Sequence, residues 1–309
     1  MTGPDVIRRR PGAELLAGAV DSHIHACPHI NGRSLDVFEA VSEAAAAGMS
    51  AIGLMDNFAN SAGLAALANR HLGHLGVEVF GGLIMEPPAG GVSAEAVEIA
   101  LRYGYGDGDG ARFVSLPTHH TRNVALQEGR SPLFVESCLA IPEAGPLPDP
   151  LPRILDLIAA ADVVFNTGHV SGPEAVRAAE AAQAAGVRRI LAPSAHYDAE
   201  TVRALAALGA VAEFSFFFVS HATQVGLTHV DAARNRPALV DAGRMAALIA
   251  AAGPENAMLN SDCGVFLLPP PAEGLREFLL LLGEAGVARE DLRRMTSDVP
   301  RRLFRLGAA

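Results

Sequence analysis

A His-x-His pair near the N-terminus is the part of this sequence with the clearest potential for chemistry. It occurs in Asp21-Ser22-His23-Ile24-His25, at the end of the first apolar run. Successive side chains of a strand point to opposite faces, so His23 and His25 would point the same way. Two neighbouring imidazoles on one rigid strand provide half of a metal site. Such a pair also arises by chance, and its meaning depends on where further ligand types lie.

Further ligand types follow separate apolar runs along the chain. His169, His196 and Asp262 each stand at the end of such a run, a position that scattered structural histidines have no reason to share. The predicted metal ligands are therefore His23, His25, His169, His196 and Asp262. Asp262 and His196 are also the candidate catalytic residues, because a carboxylate can bind the metal or accept a proton and an imidazole can hold a substrate carbonyl.

Charge and composition limit the classes of partner. The formal net charge of −10 argues against nucleic acid, which needs a basic surface. No apolar stretch approaches the roughly 20 residues of a membrane helix, and Met1–Pro11 lacks the apolar region of a signal peptide. We therefore expect a cytoplasmic protein with a small-molecule substrate, and a homo-oligomer is compatible with the sequence. Three cysteines without a CxxC pair indicate reduced thiols rather than disulfides.

The chain contains no lysine, so all 24 basic residues are arginine. Neither a lysine carbamate nor a lysine Schiff base can form in such a protein. Any bridge between two metal ions would have to come from another residue type.

Repeated strand and helix patterns predict the fold. Eight apolar, β-branched runs alternate with Ala- and Leu-rich helical patterns, and glycine closes several of the helices, as at Gly48, Gly186 and Gly209. At this length the pattern favours one (β/α)8 TIM barrel over residues 1–309. A doubly wound open sheet is the alternative, but no GxGxxG turn follows the first strand. The predicted strands are Val20–Ala26, Ala51–Asp56, Val79–Met85, Arg112–Pro117, Val163–His169, Arg189–Ser194, Ala210–Phe216 and Ala257–Ser261.

Two predicted connections are unusually long. The segment from His119 to Pro152, after the fourth strand, is rich in proline and is expected to fold over the site as a lid or hairpin. The segment from Phe217 to Ala238 follows the seventh strand. Catalytic residues of TIM barrels lie on the loops at this end of the strands.

The order of the candidate ligands resembles the amidohydrolase superfamily, whose metal-dependent hydrolases take His-x-His, His, His and Asp from barrel strands one, five, six and eight. The likeness covers nearly the whole chain, including a C-terminal segment, Met295–Leu306, that closes such barrels. A closer likeness is to a little-characterised branch, a domain of unknown function. It is carried by Asp21-Ser22-His23-Ile24-His25, Gly90-Gly91-Val92-Ser93, Leu116-Pro117-Thr118, Thr167-Gly168-His169 and Ser261-Asp262-Cys263-Gly264.

This chain departs from that branch at two points. Pro193-Ser194 stands where a histidine is expected, with His196 slightly later, and Asp56-Asn57-Phe58 stands where the branch tends to have Lys-Ser-His. The metal count or the substrate would differ accordingly.

The resemblance implies a divalent metal, with Zn²⁺ favoured over Mn, Fe or Ni. Such an ion lowers the pKa of a bound water, and Asp262 would act as general base. One ion is favoured. A second metal ion would need a bridging ligand, for which Glu213, Glu86 and His119 are candidates. Arg122 is the candidate clamp for an anionic substrate group, and Asn57 and His120 are further candidate substrate contacts.

The predicted activity is hydrolysis of an amide, lactam, lactone or ester bond in a small molecule. Three alternatives remain open at this stage. The same barrel supports metal-dependent decarboxylases or lyases, in which no water attacks. A phosphoester hydrolase would need two metals and more cationic groups. A non-catalytic barrel acting as a binding protein is the alternative from outside the enzymes.

Overall fold

Eight parallel strands form the barrel of the computed structural model, which describes residues 10–106, 110–228 and 234–307. Each strand pairs with the next one along the chain. A parallel bridge between Ile24 and Cys263 joins the last strand to the first, which confirms the predicted (β/α)8 barrel. The strands are β1 Val20–Ile24, β2 Ala51–Leu54, β3 Glu78–Ile84, β4 Phe113–Ser115, β5 Val164–Asn166, β6 Ile190–Pro193, β7 Val211–Ser215 and β8 Ala257–Asn260.

These strands are buried on both faces, and their sequences show why. β2, β5 and β8 are buried at every residue, as expected for parallel strands covered by helices outside and side chains inside. All eight predicted strands are present. All eight end one to three residues before the predicted boundary, so His25 and His169 lie on the loops just after their strands, as Asp262 does. At those positions the backbone has left the ladder and can turn side chains into the mouth of the barrel.

Helices surround the barrel, and local sequence signals set their ends. The first begins with a capping box in which Asp36 and Glu39 accept each other's backbone N–H groups. Gly48, Gly186 and Gly209 have φ values of 80°, 85° and 76°, which confirms their predicted helix-terminating role. The helices are α1 Val37–Ala47, α2 Ala62–Leu72, α3 Ala94–Ala100, α4 Arg122–Gln127, α5 Pro132–Ser137, α6 Leu151–Ala161, α7 Gly172–Ala184, α8 Ala199–Ala207, α9 Ala242–Ala252, α10 Pro271–Glu284, α11 Arg289–Arg293 and α12 Val299–Phe304.

Both long loops contain short elements of their own. The loop after β4 carries α4 and α5, and residues of α4 line the mouth of the barrel, as a lid would. The loop after β7 forms the 3₁₀ turns Phe216–Phe218 and His221–Val225 and a two-stranded hairpin. Residues 229–233 of this loop lie outside the described residues. So do residues 1–9, on which the expectation about a signal peptide rests.

The opposite end of the barrel is closed by the C-terminal helix. Val299, Leu303 and Phe304 of α12 pack with residues from the strand starts in one apolar cluster, and the rings of Phe304 and Phe80 lie 4.5 Å apart. This arrangement matches the closing role expected for Met295–Leu306. The cavity lined by His23, His25 and Asp262 lies at the other end, where the strands have their carboxyl ends. Over the described residues, no helix has the length and hydropathy to cross a membrane.

Candidate metal centre

Two histidines and an aspartate converge at the mouth of the barrel. His23 Nε2 lies 3.3 Å and His25 Nε2 3.2 Å from Asp262 Oδ1. One ligand atom from each residue lies within 4.8 Å of the other two, a spacing that a single cation can bridge. The three side chains are only 12–13% exposed and line a cavity of about 600 Å³. Three ligands with an open cavity beside them are typical of a catalytic rather than a structural metal site.

The backbone at the junction of β1 and β8 places these ligands. Asp262 N donates to His23 O at 2.9 Å, and His25 N donates to Cys263 O at 2.8 Å. Asp262 has a φ of 49°, which turns its side chain out of the strand direction. Gly264 has a φ of 124°, and a Cβ there would lie 1.7 Å from His25 O. Only glycine allows the two chain segments to approach this closely.

A buried glutamate fixes the orientation of the first imidazole. Glu213 Oε1 lies 3.0 Å from His23 Nδ1 and also accepts a hydrogen bond from Asn260 Nδ2 at 2.6 Å. When Nδ1 carries the proton for Glu213, Nε2 directs a lone pair towards the carboxylate of Asp262. That contact is repulsive unless a proton or a metal ion lies between the two groups. Carboxylate–histidine pairs of this kind commonly orient metal ligands.

The electrostatics of the three residues agree with a cation site. Burial alone would lower the pKa of His23, but Asp262 and Glu213 outweigh it and raise that pKa to about 9. Burial would raise the pKa of Asp262, yet the two histidines lower it below its usual range. Burial lowers the pKa of His25, whose buried Nδ1 has no hydrogen-bond partner within the described part of the chain. His23, His25 and Asp262 therefore fit a divalent metal ion in both donor type and charge.

His169 reaches the same cavity but lies outside the three-ligand group. Burial lowers its pKa to about 4, so the imidazole is neutral near pH 7 and can bind a metal or a substrate. Its ring lies 6.4 Å from that of His119, measured between centroids. The side chains of Thr121 and Asn123 donate to its backbone carbonyl. These contacts tie the loop after β5 to the loop after β4.

His196 lies at the rim of the cavity and is exposed. Its Nε2 is 2.8 Å from the carbonyl of Ala238, and its ring packs edge-on against Phe218 at 4.7 Å. The structure therefore does not bring it to His23, His25 and Asp262, three of the four ligands predicted alongside it. His196 lies three residues beyond the end of β6, where its ring is held by Phe218 and the carbonyl of Ala238.

Glu86 supports a loop instead of facing the metal ligands. Its Oε1 accepts from the backbone N–H of Thr118 at 2.6 Å and of His119 at 2.5 Å. This carboxylate thereby shapes the start of the loop after β4. His119 and Asn57 lie on the cavity wall, where His119 Nε2 is 3.0 Å from Asn57 Nδ2. Both remain in reach of a substrate.

Two of the predicted substrate contacts lie away from the cavity. Arg122 begins α4 and lines a separate surface groove beside Glu143 and Glu174. His120 Nε2 lies 3.0 Å from the carbonyl of Ser137, and its ring packs against Phe134. In this structure α4 carries Arg122 outward and α5 covers His120, so the substrate contacts predicted for these two residues lie outside the cavity.

The sequence analysis did not identify Arg33, which lines the cavity from the loop between β1 and α1. The available signal was its place on the loop directly after the His-x-His strand, at the catalytic end of a barrel. It also did not single out Asp21, whose pKa is raised to about 7 by burial beneath the ligands. Asp21 Oδ1 accepts from the backbone N–H of Ser261 at 2.9 Å. That bond is a further link between the strands that carry the ligands.

Residues 18–213, more than half of the chain, match the model of a protein family described as a family of unknown function, DUF6282. The chain belongs to the DUF6282 family. The match includes His23, His25 and His169 and ends before Asp262. No curated protein matches the sequence of this DUF6282 chain.

Solved structures share the fold of this DUF6282 protein. An amidohydrolase from Pseudomonas aeruginosa superposes with a TM-score of 0.57 at 11% identity, covering 98% of each chain. An organophosphorus hydrolase from Deinococcus radiodurans has a TM-score of 0.54 at 16% identity, covering 95% of this chain and 93% of its own. A mutant PTE-like lactonase from the same organism has a TM-score of 0.56 at 16% identity, covering 95% and 97%. At these identities the likeness establishes the barrel fold alone.

Proposed function

We propose that this protein is a metal-dependent hydrolase acting on an amide, lactam, lactone or ester bond of a small molecule. His23, His25 and Asp262 would hold one divalent cation, with Zn²⁺ favoured over Mn, Fe or Ni. The proposal depends on one observation above all. The Nε2 atoms of both histidines converge on Asp262 Oδ1, in a geometry that needs a cation for its charges to balance.

A divalent ion at this position supplies Lewis acidity, which lowers the pKa of a bound water and polarises a carbonyl group. Among the described residues, both histidine contacts of the Asp262 carboxylate are made by Oδ1. Oδ2, which makes neither of these contacts, would accept a proton from the attacking water and pass it to the leaving group. The lowered pKa of Asp262 keeps this carboxylate ionised at neutral pH.

Neutral groups on the cavity wall suit the binding of a carbonyl substrate. His169 is uncharged near pH 7 and faces the same cavity as the three ligands. His119 and Asn57 provide further hydrogen-bonding groups on the wall. The solved neighbours include proteins named amidohydrolase, lactonase and organophosphorus hydrolase, which supports hydrolysis as the class of reaction for this barrel.

Metal content is the first test of this proposal. We expect purified protein, loaded with Zn²⁺ and dialysed, to retain about one ion per chain by elemental analysis. A His23→Ala/His25→Ala double variant should retain none, because two of the three ligands are lost. The matched control is His71→Ala/His74→Ala, which removes two exposed histidines at the end of α2 and should retain the ion.

The same samples then test catalysis against a panel of esters, lactones and amides. Asp262→Ala should lower turnover at least about a hundredfold, because it removes a metal ligand and the proton acceptor together. A folded wild-type protein that cannot be loaded with Zn²⁺ or Mn²⁺ contradicts the hydrolase proposal. Metal retained by the double variant contradicts the assignment of the ligands.

A further inference from the structure

Arg33 is held at the mouth of the cavity by the same backbone segment that carries Asp262. An antiparallel bridge joins Arg33 to Val265, and Ser34 N donates to Gly264 O at 2.8 Å. The position of the arginine is thereby fixed relative to the metal ligands. Because its backbone is fixed before a ligand arrives, little ordering is needed on binding.

The guanidinium of Arg33 keeps most of its donors uncommitted. Its Nε is buried and, over the described ranges, has no hydrogen-bond partner. Its Nη2 lies 2.8 Å from His29 Nε2, while Asn31 N lies 3.0 Å from His29 Nδ1. Burial lowers the pKa of His29 to about 4, and a neutral imidazole accepts at only one nitrogen. At most one of these two contacts is therefore a hydrogen bond.

Nearby carboxylates do not explain why a cation is buried here. Burial lowers the pKa of Arg33, and the carboxylates of Asp56 and Asp262 offset part of this effect from nearby. Asp56 already accepts from Phe58 N at 2.7 Å, and Asp262 faces the two histidines. The rigid fork of a guanidinium matches a carboxylate through two parallel hydrogen bonds.

The charge balance of the cavity also favours an anion once a metal is bound. Arg33 and Arg236 line it together with Asp262 and Glu128. Glu128 lies 3.5 Å from Arg130, and the charge of Asp262 would be offset by the ion. The remaining wall includes the apolar side chains of Phe217, Phe218 and Val265, which suit the body of an organic molecule.

We propose that Arg33 binds a carboxylate group of the substrate, so that the enzyme acts on small organic acids carrying the scissile bond near an apolar portion. This inference rests on the proposed function, and it transfers the anion-binding role from Arg122, the arginine that the sequence suggested. Arg33 acts here as a specificity residue that contacts the substrate.

Isothermal titration with benzoate and its neutral isostere benzamide tests the role of Arg33. We expect wild-type protein loaded with Zn²⁺ to bind benzoate at least about tenfold more tightly than benzamide, as a charge-assisted hydrogen-bonded pair provides. Arg33→Gln should abolish that preference and leave benzamide binding and metal content unchanged. Arg33→Lys should restore part of it. Arg122→Gln is the matched control and should behave as wild type.

Running each titration with and without metal separates the two proposals. If Arg33→Gln retains both its metal and its preference for benzoate, the carboxylate binds elsewhere and the proposal for Arg33 is overturned. Loss of the preference in Arg236→Gln but not in Arg33→Gln overturns it equally. A wild-type protein that holds no metal, yet prefers benzoate in an Arg33-dependent manner, contradicts the hydrolase proposal alone.

Discussion

At the scale of single residues, the candidate metal centre is organised around a contact that either a proton or a metal ion would complete. Glu213 holds the Nδ1 of His23, and this directs the opposite nitrogen at the carboxylate of Asp262. Asp262 and Glu213 raise the pKa of His23 to about 9, so in the metal-free protein a proton would complete the contact at neutral pH. Binding of a divalent ion would displace that proton. The orientation of the His23 ring towards Asp262 therefore depends on Glu213, a residue that does not belong to the three-ligand group.

Replacement of Glu213 by glutamine should weaken the metal site without dismantling it. The amide oxygen can still accept from His23 Nδ1 and Asn260, but it lacks the charge that increases the basicity of the ligand. We expect the Kd for Zn²⁺ to rise about 10- to 100-fold. Competition with a metal chelator at pH 7.5 measures this change.

Glu86→Gln is the matched control for Glu213→Gln, since both are buried glutamates of the barrel region. Glu86 supports the backbone of Thr118 and His119, so its replacement should lower the melting temperature and leave the Zn²⁺ Kd within about threefold of wild type. Equal metal affinity in Glu213→Gln and wild type would show that Glu213 does not orient the ligand.

At the scale of secondary structure, the ligands depend on the junction between β1 and β8. Three backbone contacts hold this junction beyond the paired strands: Asp262 N to His23 O, His25 N to Cys263 O, and Ser34 N to Gly264 O. Gly264 lies where the two segments are closest, with a φ unsuited to other residues. The geometry of the metal site is thus inseparable from closure of the barrel.

Gly264→Ala should destabilise the protein and loosen the metal site together. The new methyl group would have to push against His25 O, a backbone atom, and the backbone would be strained at a φ of 124°. We expect a loss of about 3 kcal/mol or more in the free energy of unfolding, measured by denaturant titration. Zn²⁺ affinity should fall as well.

Gly286→Ala provides the comparison, because Gly286 has a φ of 95° and open space around its Cβ position. Gly286→Ala should lower the free energy of unfolding only by the strain of alanine in the left-handed region, about 1–2 kcal/mol. Its Zn²⁺ affinity should be unchanged. Equal losses of stability in the two variants would contradict the explanation that the close approach of the chain segments requires glycine at position 264.

The fold could be predicted from sequence because each βα unit repeats the same local pattern, and burial on both faces leaves strands such as β2 entirely apolar. The pair His23 and His25 could be predicted for a similar reason, since the two-residue period of a strand fixes their common direction. Arg33, Arg122 and His196 could not be placed in this way. Their side-chain directions depend on loop paths, which tertiary contacts such as the one between Arg33 and Val265 decide.

At the scale of the whole molecule, several buried groups have higher pKa values in the folded protein than in the unfolded chain. Burial raises the pKa values of Asp21 and Glu43 to about 7, and the surrounding carboxylates raise that of His23 to about 9. Each contributes stability that is fully present below its unfolded pKa and is lost as pH rises through its folded pKa. The contribution of His23 is lost at the highest pH, because its folded pKa is the highest of the three.

The metal-free protein should therefore lose stability between pH 7 and pH 9. Thermal unfolding in a chelator should show the melting temperature falling over this range. His23→Asn should show a smaller fall than wild type, because its side chain does not titrate and only groups such as Asp21 and Glu43 still lose protons. One equivalent of Zn²⁺ should remove the His23 part of the fall in wild type, since the ion replaces the proton. A melting temperature of metal-free wild type that stays constant from pH 7 to pH 9 would contradict the raised pKa of His23.

The meeting of the first and last barrel strands has a consequence for how the protein is made. Asp21 and Ser261, hydrogen-bonded beneath the site, are 240 positions apart, and the metal ligands are drawn from the same two regions. During synthesis on the ribosome, His23 and His25 emerge early, and their third partner follows only when β8 has been translated. A nascent or truncated chain can display the histidine pair but cannot assemble the cation site. Under the proposed function, metal uptake would report completion of the barrel, and an incomplete chain would stay inert.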